Sequence, residues 1–163
     1  GDILKHVLTI NADKFTPVSD VLIPTGELKA VEGTPMDFRK PEIIGKRIDD
    51  YFDQLAYGKG YDHNWVINQK KPGELTLAAV CYDPKSNRMM EVHTTQPGMQ
   101  LYTGNWLDGS DKGKRGKSYG MRSALSLETQ NYPDSPNKPG FPSTLLHPGE
   151  VYKHTCLHKF SVK

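Results

Sequence analysis

Glu74-Leu75-Thr76-Leu77-Ala78-Ala79-Val80-Cys81-Tyr82 places Leu75, Leu77, Ala79 and Cys81 at alternate positions. A period of two belongs to an extended strand, because successive side chains leave a pleated backbone on opposite sides. Asp83-Pro84-Lys85-Ser86-Asn87 follows. Its residues favour turns, through a fixed φ, a side chain that bonds its own backbone, or tolerance of positive φ. Arg88 to Thr95 then returns as a second strand, so the whole reads as a β-hairpin.

The same pattern recurs on both sides of the hairpin. Ile3 to Ile10, Leu28 to Val31, Trp65 to Ile67 and Met99 to Thr103 read as strands separated by Gly, Pro, Asn and Asp. Gly58-Lys59-Gly60-Tyr61-Asp62-His63-Asn64 reads as a compact polar loop leading into Trp65. Val151 to Val162 is a closing strand, with Tyr152, His154, Cys156, His158, Phe160 and Val162 on one side. Only Ile43 to Leu55 suggests a helix, through a stripe of Ile44, Ile48, Tyr51, Phe52 and Leu55. Gly45 weakens that stripe, so one or two turns are expected. Eight or nine strands with hairpin spacing predict an all-β fold, an antiparallel β-sandwich. No repeat or boundary divides residues 1–163, which read as one unit.

The charge is nearly balanced, 21 Lys and Arg against 19 Asp and Glu, for a formal +2. The densest basic run, Lys112 to Lys117, is interleaved with glycine and reads as an exposed loop, not a nucleic-acid footprint. No apolar run is long enough to span a bilayer, so no membrane partner is expected. Cys81 and Cys156 lie in strand-like apolar runs, which suggests two buried free thiols and a reducing compartment. The chain enters a strand-like segment directly from Gly1-Asp2 with neither initiator Met nor signal peptide, so it is expected to be a piece of something longer.

Chemistry has few candidate places. Gly109, Gly113, Gly116 and Gly120 do not follow a strand-to-helix junction, so they make no phosphate cradle. His154, Cys156 and His158 share a strand face, but its extension is aromatic and aliphatic, as a core face would be, so no metal site is expected. Ala124 to Asn137 opens as a strand with Leu125 and Leu127 on one face and Ser126, Glu128 and Gln130 on the other. It then breaks into Asn, Pro, Asp and Ser. A carboxylate there suits a ligand contact or a solvated surface, and the local pattern favours the second. Asp62 sits beside His63, Asn64 and Trp65, and Glu128 beside Gln130, Asn131 and Tyr132. Carboxylates, amides and aromatic rings are what a sugar site needs, for hydroxyls and for the apolar faces of a pyranose.

Several longer motifs carry a resemblance. They are Gly60-Tyr61-Asp62-His63-Asn64, Thr95-Gln96-Pro97-Gly98-Met99-Gln100-Leu101-Tyr102-Thr103-Gly104-Asn105 and Leu127-Glu128-Thr129-Gln130-Asn131-Tyr132-Pro133-Asp134, continuing to Pro142. Pro148-Gly149-Glu150-Val151-Tyr152-Lys153-His154 belongs with them, as do Gly1-Asp2-Ile3-Leu4 and Ile23-Pro24-Thr25-Gly26-Glu27. In these motifs, in this order, the chain resembles the C-terminal half of the aldose 1-epimerase, or galactose mutarotase, family.

The resemblance implies part of an antiparallel β-supersandwich and an isomerase that interconverts the α and β anomers of hexoses such as galactose and glucose, without a cofactor. It assigns the catalytic base to Glu128 and places Asp62 and Gln100 in the sugar pocket. It puts the acid, a His, in an N-terminal half upstream of Gly1. Neither His6 nor His63 sits in the motif that supplies that acid, and the chain alone is expected to be inactive. The expected partners are a monosaccharide and that N-terminal half, and the expected setting is cytoplasmic. The alternatives are a non-catalytic carbohydrate-binding protein of the same fold and a hexose-6-phosphate 1-epimerase, which would need a basic cluster beside Glu128.

Overall fold

The computed structural model describes residues 1–163. Its strands are β1 (Val7–Ile10), β2 (Lys14–Thr16), β3 (Lys29–Ala30), β4 (Glu42–Ile43), β5 (Asp62–Val66), β6 (Thr76–Asp83), β7 (Arg88–Thr94), β8 (Gly98–Tyr102), β9 (Ser126–Gln130) and β10 (Cys156–Val162). One α-helix, α1 (Asp53–Gly58), and three short 3-10 turns complete the chain. The strands form two antiparallel five-stranded sheets, ordered β10-β7-β6-β1-β4 and β3-β2-β5-β8-β9. The expected all-β sandwich is present, and two of its ten strands are only two residues long.

Alternation explains the core. Leu8 and Ile10 of β1, Ala79 and Cys81 of β6 and Val92 of β7 enter it from the first sheet. Phe15, Trp65, Met99 and Leu101 enter from the second. Phe38, Tyr61 and Trp65 meet edge-on or tilted, the geometry aromatic quadrupoles favour. Their polar tips are satisfied: Trp65 Nε1 donates to the Met36 carbonyl at 3.0 Å and the Tyr61 hydroxyl to that of Pro35 at 3.1 Å.

Four expectations change. The hairpin of β6 and β7 forms, but the register shifts between Leu77 and Ala79, and this bulge turns the face over. Ala79 and Cys81 point inward, whereas Leu75 and Leu77 are exposed. Ile43 to Leu55 is not a helix. Its start is held against the N-terminal strand, where Ile44 N–H donates to the His6 carbonyl and Gly45 N–H to that of Leu4. A Cβ at Gly45 would stand 2.8 Å from the Leu4 oxygen, so only glycine permits this approach. Ile44, Ile48 and Leu55 still reach the core, Tyr51 is exposed, and the helix starts at Asp53. Asp62, His63 and Asn64 belong to a strand, β5, and not to a loop. Finally, β10 is an edge strand whose expected core face is bare: Phe160 is 72% and Val162 76% exposed, and Cys156 is exposed while only Cys81 is buried.

Candidate functional site

The second sheet has one face turned to the core and one turned out. Along β5, His63 and Trp65 point inward, so Asp62 and Asn64 point outward. Along β8, Met99 and Leu101 are buried, which leaves Gln100 and Tyr102 on the outer face. Along β9, Leu127 packs against the core and Glu128 is exposed on the other side.

Pairing then aligns these side chains. Asn64 lies opposite Gln100, and Gln100 opposite Glu128; one row along, Asp62 lies opposite Tyr102, and Tyr102 opposite Ser126. Side chains directly opposite in antiparallel strands stand about 5 Å apart at Cβ. Gln100 is therefore the immediate neighbour of Glu128, and its Nε2 donates to Asp62 Oδ1 at 2.8 Å. Asp62 and Glu128 lie on a diagonal of the sheet, two strands and two residues apart, about 12 Å at Cα, with Gln100 on the strand between them. The structure brings the three expected residues, 66 positions apart at the extremes (128 − 62), into one polar strip.

The electrostatics differ along this strip. Asp62 is half-buried; burial pushes its carboxyl above the usual carboxylate range, and the Gln100 hydrogen bond pulls it partly back. The Glu128 side chain makes no hydrogen bond within the protein and faces solvent, open to a ligand. No Lys or Arg lies among the outward residues Asp62, Asn64, Gln100, Tyr102, Ser126, Glu128 and Gln130. The main clefts lie elsewhere, and none of them is lined by Asp62, Gln100 or Glu128. The strip is exposed at Glu128 and closes over toward Asn64, which is buried.

Asn64 and Tyr102 are the residues sequence reading left out of this site. Asn64 was legible as an amide two positions from Asp62, but only in a strand do those positions share a face. The Tyr102 hydroxyl accepts from the Trp106 N–H at 3.1 Å, which ties the strip to the loop beyond β8. His63 points away from the strip. It is buried, its Nδ1 accepts the Asp62 backbone N–H at 3.1 Å, and burial pushes its pKa down to about 4.

His154, Cys156 and His158 do not gather. His154 Nδ1 meets Thr95 Oγ1 at 3.1 Å, whereas Cys156 Sγ lies 3.9 Å from His158 Nδ1. No group of three or more His, Cys, Asp and Glu side chains is placed to hold a metal ion. No helix is long and apolar enough to cross a membrane.

A family model for aldose 1-epimerase matches residues 1–159. The chain belongs to the aldose 1-epimerase family. It is 48% identical over 161 residues to the galactose mutarotase of Rattus norvegicus, covering 99% of this chain and 45% of that relative. Against the galactose mutarotase of Homo sapiens it is 48% identical over 157 residues, 96% of this chain and 44% of the other. Among solved structures, the GalM/aldose epimerase homologue from C. elegans superposes with a TM-score of 0.87 at 30% identity, over 99% of this chain and 47% of that one. The chain thus spans about half the length of the aldose 1-epimerase relatives it matches. The two-sheet fold agrees with the fold that membership implies.

Proposed function

We propose that this chain is the C-terminal half of an aldose 1-epimerase domain that interconverts the α and β anomers of free hexoses, with galactose or glucose as substrate. The carrying observation is the register Asn64–Gln100–Glu128, which sets an exposed carboxylate beside an amide that is bonded to a second carboxylate. In this reading Glu128 takes the proton from the C1 hydroxyl while an acid protonates the ring oxygen. The C1–O5 bond breaks, the C1–C2 bond rotates, and the ring recloses on the other face. Asp62 and Gln100 hold the sugar hydroxyls. A base and an acid so placed contribute roughly 10²–10⁴-fold each. The absence of Lys and Arg from the strip favours free hexoses over hexose 6-phosphates.

The acid is assigned to a His of an N-terminal half. Support for that partner comes from bare apolar surface: Val151, Tyr152, Phe160 and Val162 are all more than half exposed on or beside edge strand β10. The free edges of β9 and β10 end their sheets and offer unpaired backbone groups for further strands. The free thiols Cys81 and Cys156 support a reducing, cytoplasmic setting.

Polarimetry or exchange NMR on α-galactose tests the assignment, with the full-length protein and its Glu128→Gln variant. The expected result is loss of roughly 10²-fold or more in rate with little change in Tm, because Glu128 is exposed. Equilibration as fast as in the parent removes Glu128 as the base, leaving the carbohydrate-binding reading.

A further inference from the structure

Beside the strip lies a cost the fold does not need for its own sake. Asn64 is 1% exposed, and neither its Oδ1 nor its Nδ2 has a hydrogen-bond partner. Directly across on β8, Gln100 Oε1 is also buried without a partner. Buried amide atoms are almost always paired, so three orphans on adjacent strands call for a reason. The backbone makes room for them as well. A Cβ at Gly98 would collide with Asn64 Oδ1 and stand 2.9 Å from Tyr132 Cδ1. An apolar side chain at Asn64 would leave no orphaned polar atoms on β5.

We propose that Asn64 is a positioning residue of the sugar site, acting on Asp62 through the Gln100 carboxamide; the inference rests on the reading above. Gln100 has two chemically different ends. Its Nε2 donates to Asp62 Oδ1 at 2.8 Å, and its Oε1 is left on a side chain whose cross-strand neighbour is Asn64. Asn64 Nδ2 is a donor without a partner and Gln100 Oε1 an acceptor without one, on residues directly opposite in neighbouring strands, so each is the other's nearest candidate partner across the pair. That pairing selects one of the two amide orientations. The reversed orientation would aim Oε1 at the Asp62 carboxylate and give up the bond that holds it. Asn64 thereby fixes which group Asp62 meets and keeps the carboxylate aimed at the ligand, without touching the ligand itself.

The test uses the full-length protein with galactose and compares the parent with Asn64→Leu and Asn64→Asp. The leucine keeps the branching and the number of side-chain heavy atoms and removes the orphaned polar atoms; the aspartate keeps the shape and replaces the donor with an acceptor. Both are expected to raise KM about tenfold with a smaller change in kcat, while Asn64→Leu keeps or raises Tm. The two substitutions are expected to cost much less in a Gln100→Leu background, as coupling through one residue requires. The side-chain amide resonances of Gln100 should shift in Asn64→Leu even without sugar. Unchanged KM in both variants, additive effects with Gln100→Leu, or unmoved Gln100 resonances each overturn the proposal. An inactive parent overturns the enzymatic reading instead, and the sugar-free resonances still decide the Asn64–Gln100 contact.

Discussion

Strands β8 and β10 are both read from alternation and have opposite surroundings. Each alternates, Met99 and Leu101 against Gln100 and Tyr102 in one, Cys156, His158 and Phe160 against Leu157 and Lys159 in the other. In β8 the alternation resolves into a buried face and the face of the proposed site, because Met99 and Leu101 belong to the core. In β10 both faces are largely bare: Leu157, Phe160 and Val162 are all exposed, and only Ser161 is half-buried. Alternation states that a strand has two sides. It does not state whether a partner exists for the apolar one.

The largest stability effect should lie in β8. Leu101 is fully buried, so Leu101→Ala is expected to cost about 2–5 kcal/mol in urea unfolding. A cost below about 1 kcal/mol would mean that the inner face of the strip is not a packed wall. The next effect is pH-dependent and sits one strand away. Burial lowers the His63 pKa from the ordinary 6.5 to about 4, so the neutral ring is favoured in the folded state. Its contribution is complete above pH 6.5 and lost as pH falls through 6.5 toward 4, about 3 kcal/mol in all. Unfolding free energies of parent and His63→Gln at pH 7 and pH 4.5 should differ by less at the lower pH. A constant difference would show that the ring does not titrate with unfolding.

The smallest effect sharpens the contrast with β10. In the full-length protein, Phe160→Ser is expected to cost about 1.5–3 kcal/mol if an N-terminal half buries the ring. A change within about 0.5 kcal/mol would mean that the Phe160 face stays in solvent and that the second half docks elsewhere.

Much of the proposed site was legible before the fold. Glu128 stood on the polar side of a recognisable strand, and the aldose 1-epimerase motifs marked Asp62 and Gln100. The reading failed where long-range contacts override local pattern. Asp62 to Asn64 looked like a loop because its residues are polar, yet pairing with β2 and β8 makes it a strand. Ile43 to Leu55 had a helical stripe, yet the carbonyls of Leu4 and His6 capture its first amides. The β6 face reversed at one bulged position that no periodicity announces.

The sequence by itself determined which residue types stand at which spacing: the two carboxylates, the amide between them in chain order, the alternation of most strands and the family to which they belong. Register was decided only in the folded chain, because it depends on which strands pair and where each pairing starts. A slip of one residue would send Gln100 to the core and Met99 to the outer face. The row that joins Asn64, Gln100 and Glu128 exists because β5, β8 and β9 meet in that one register.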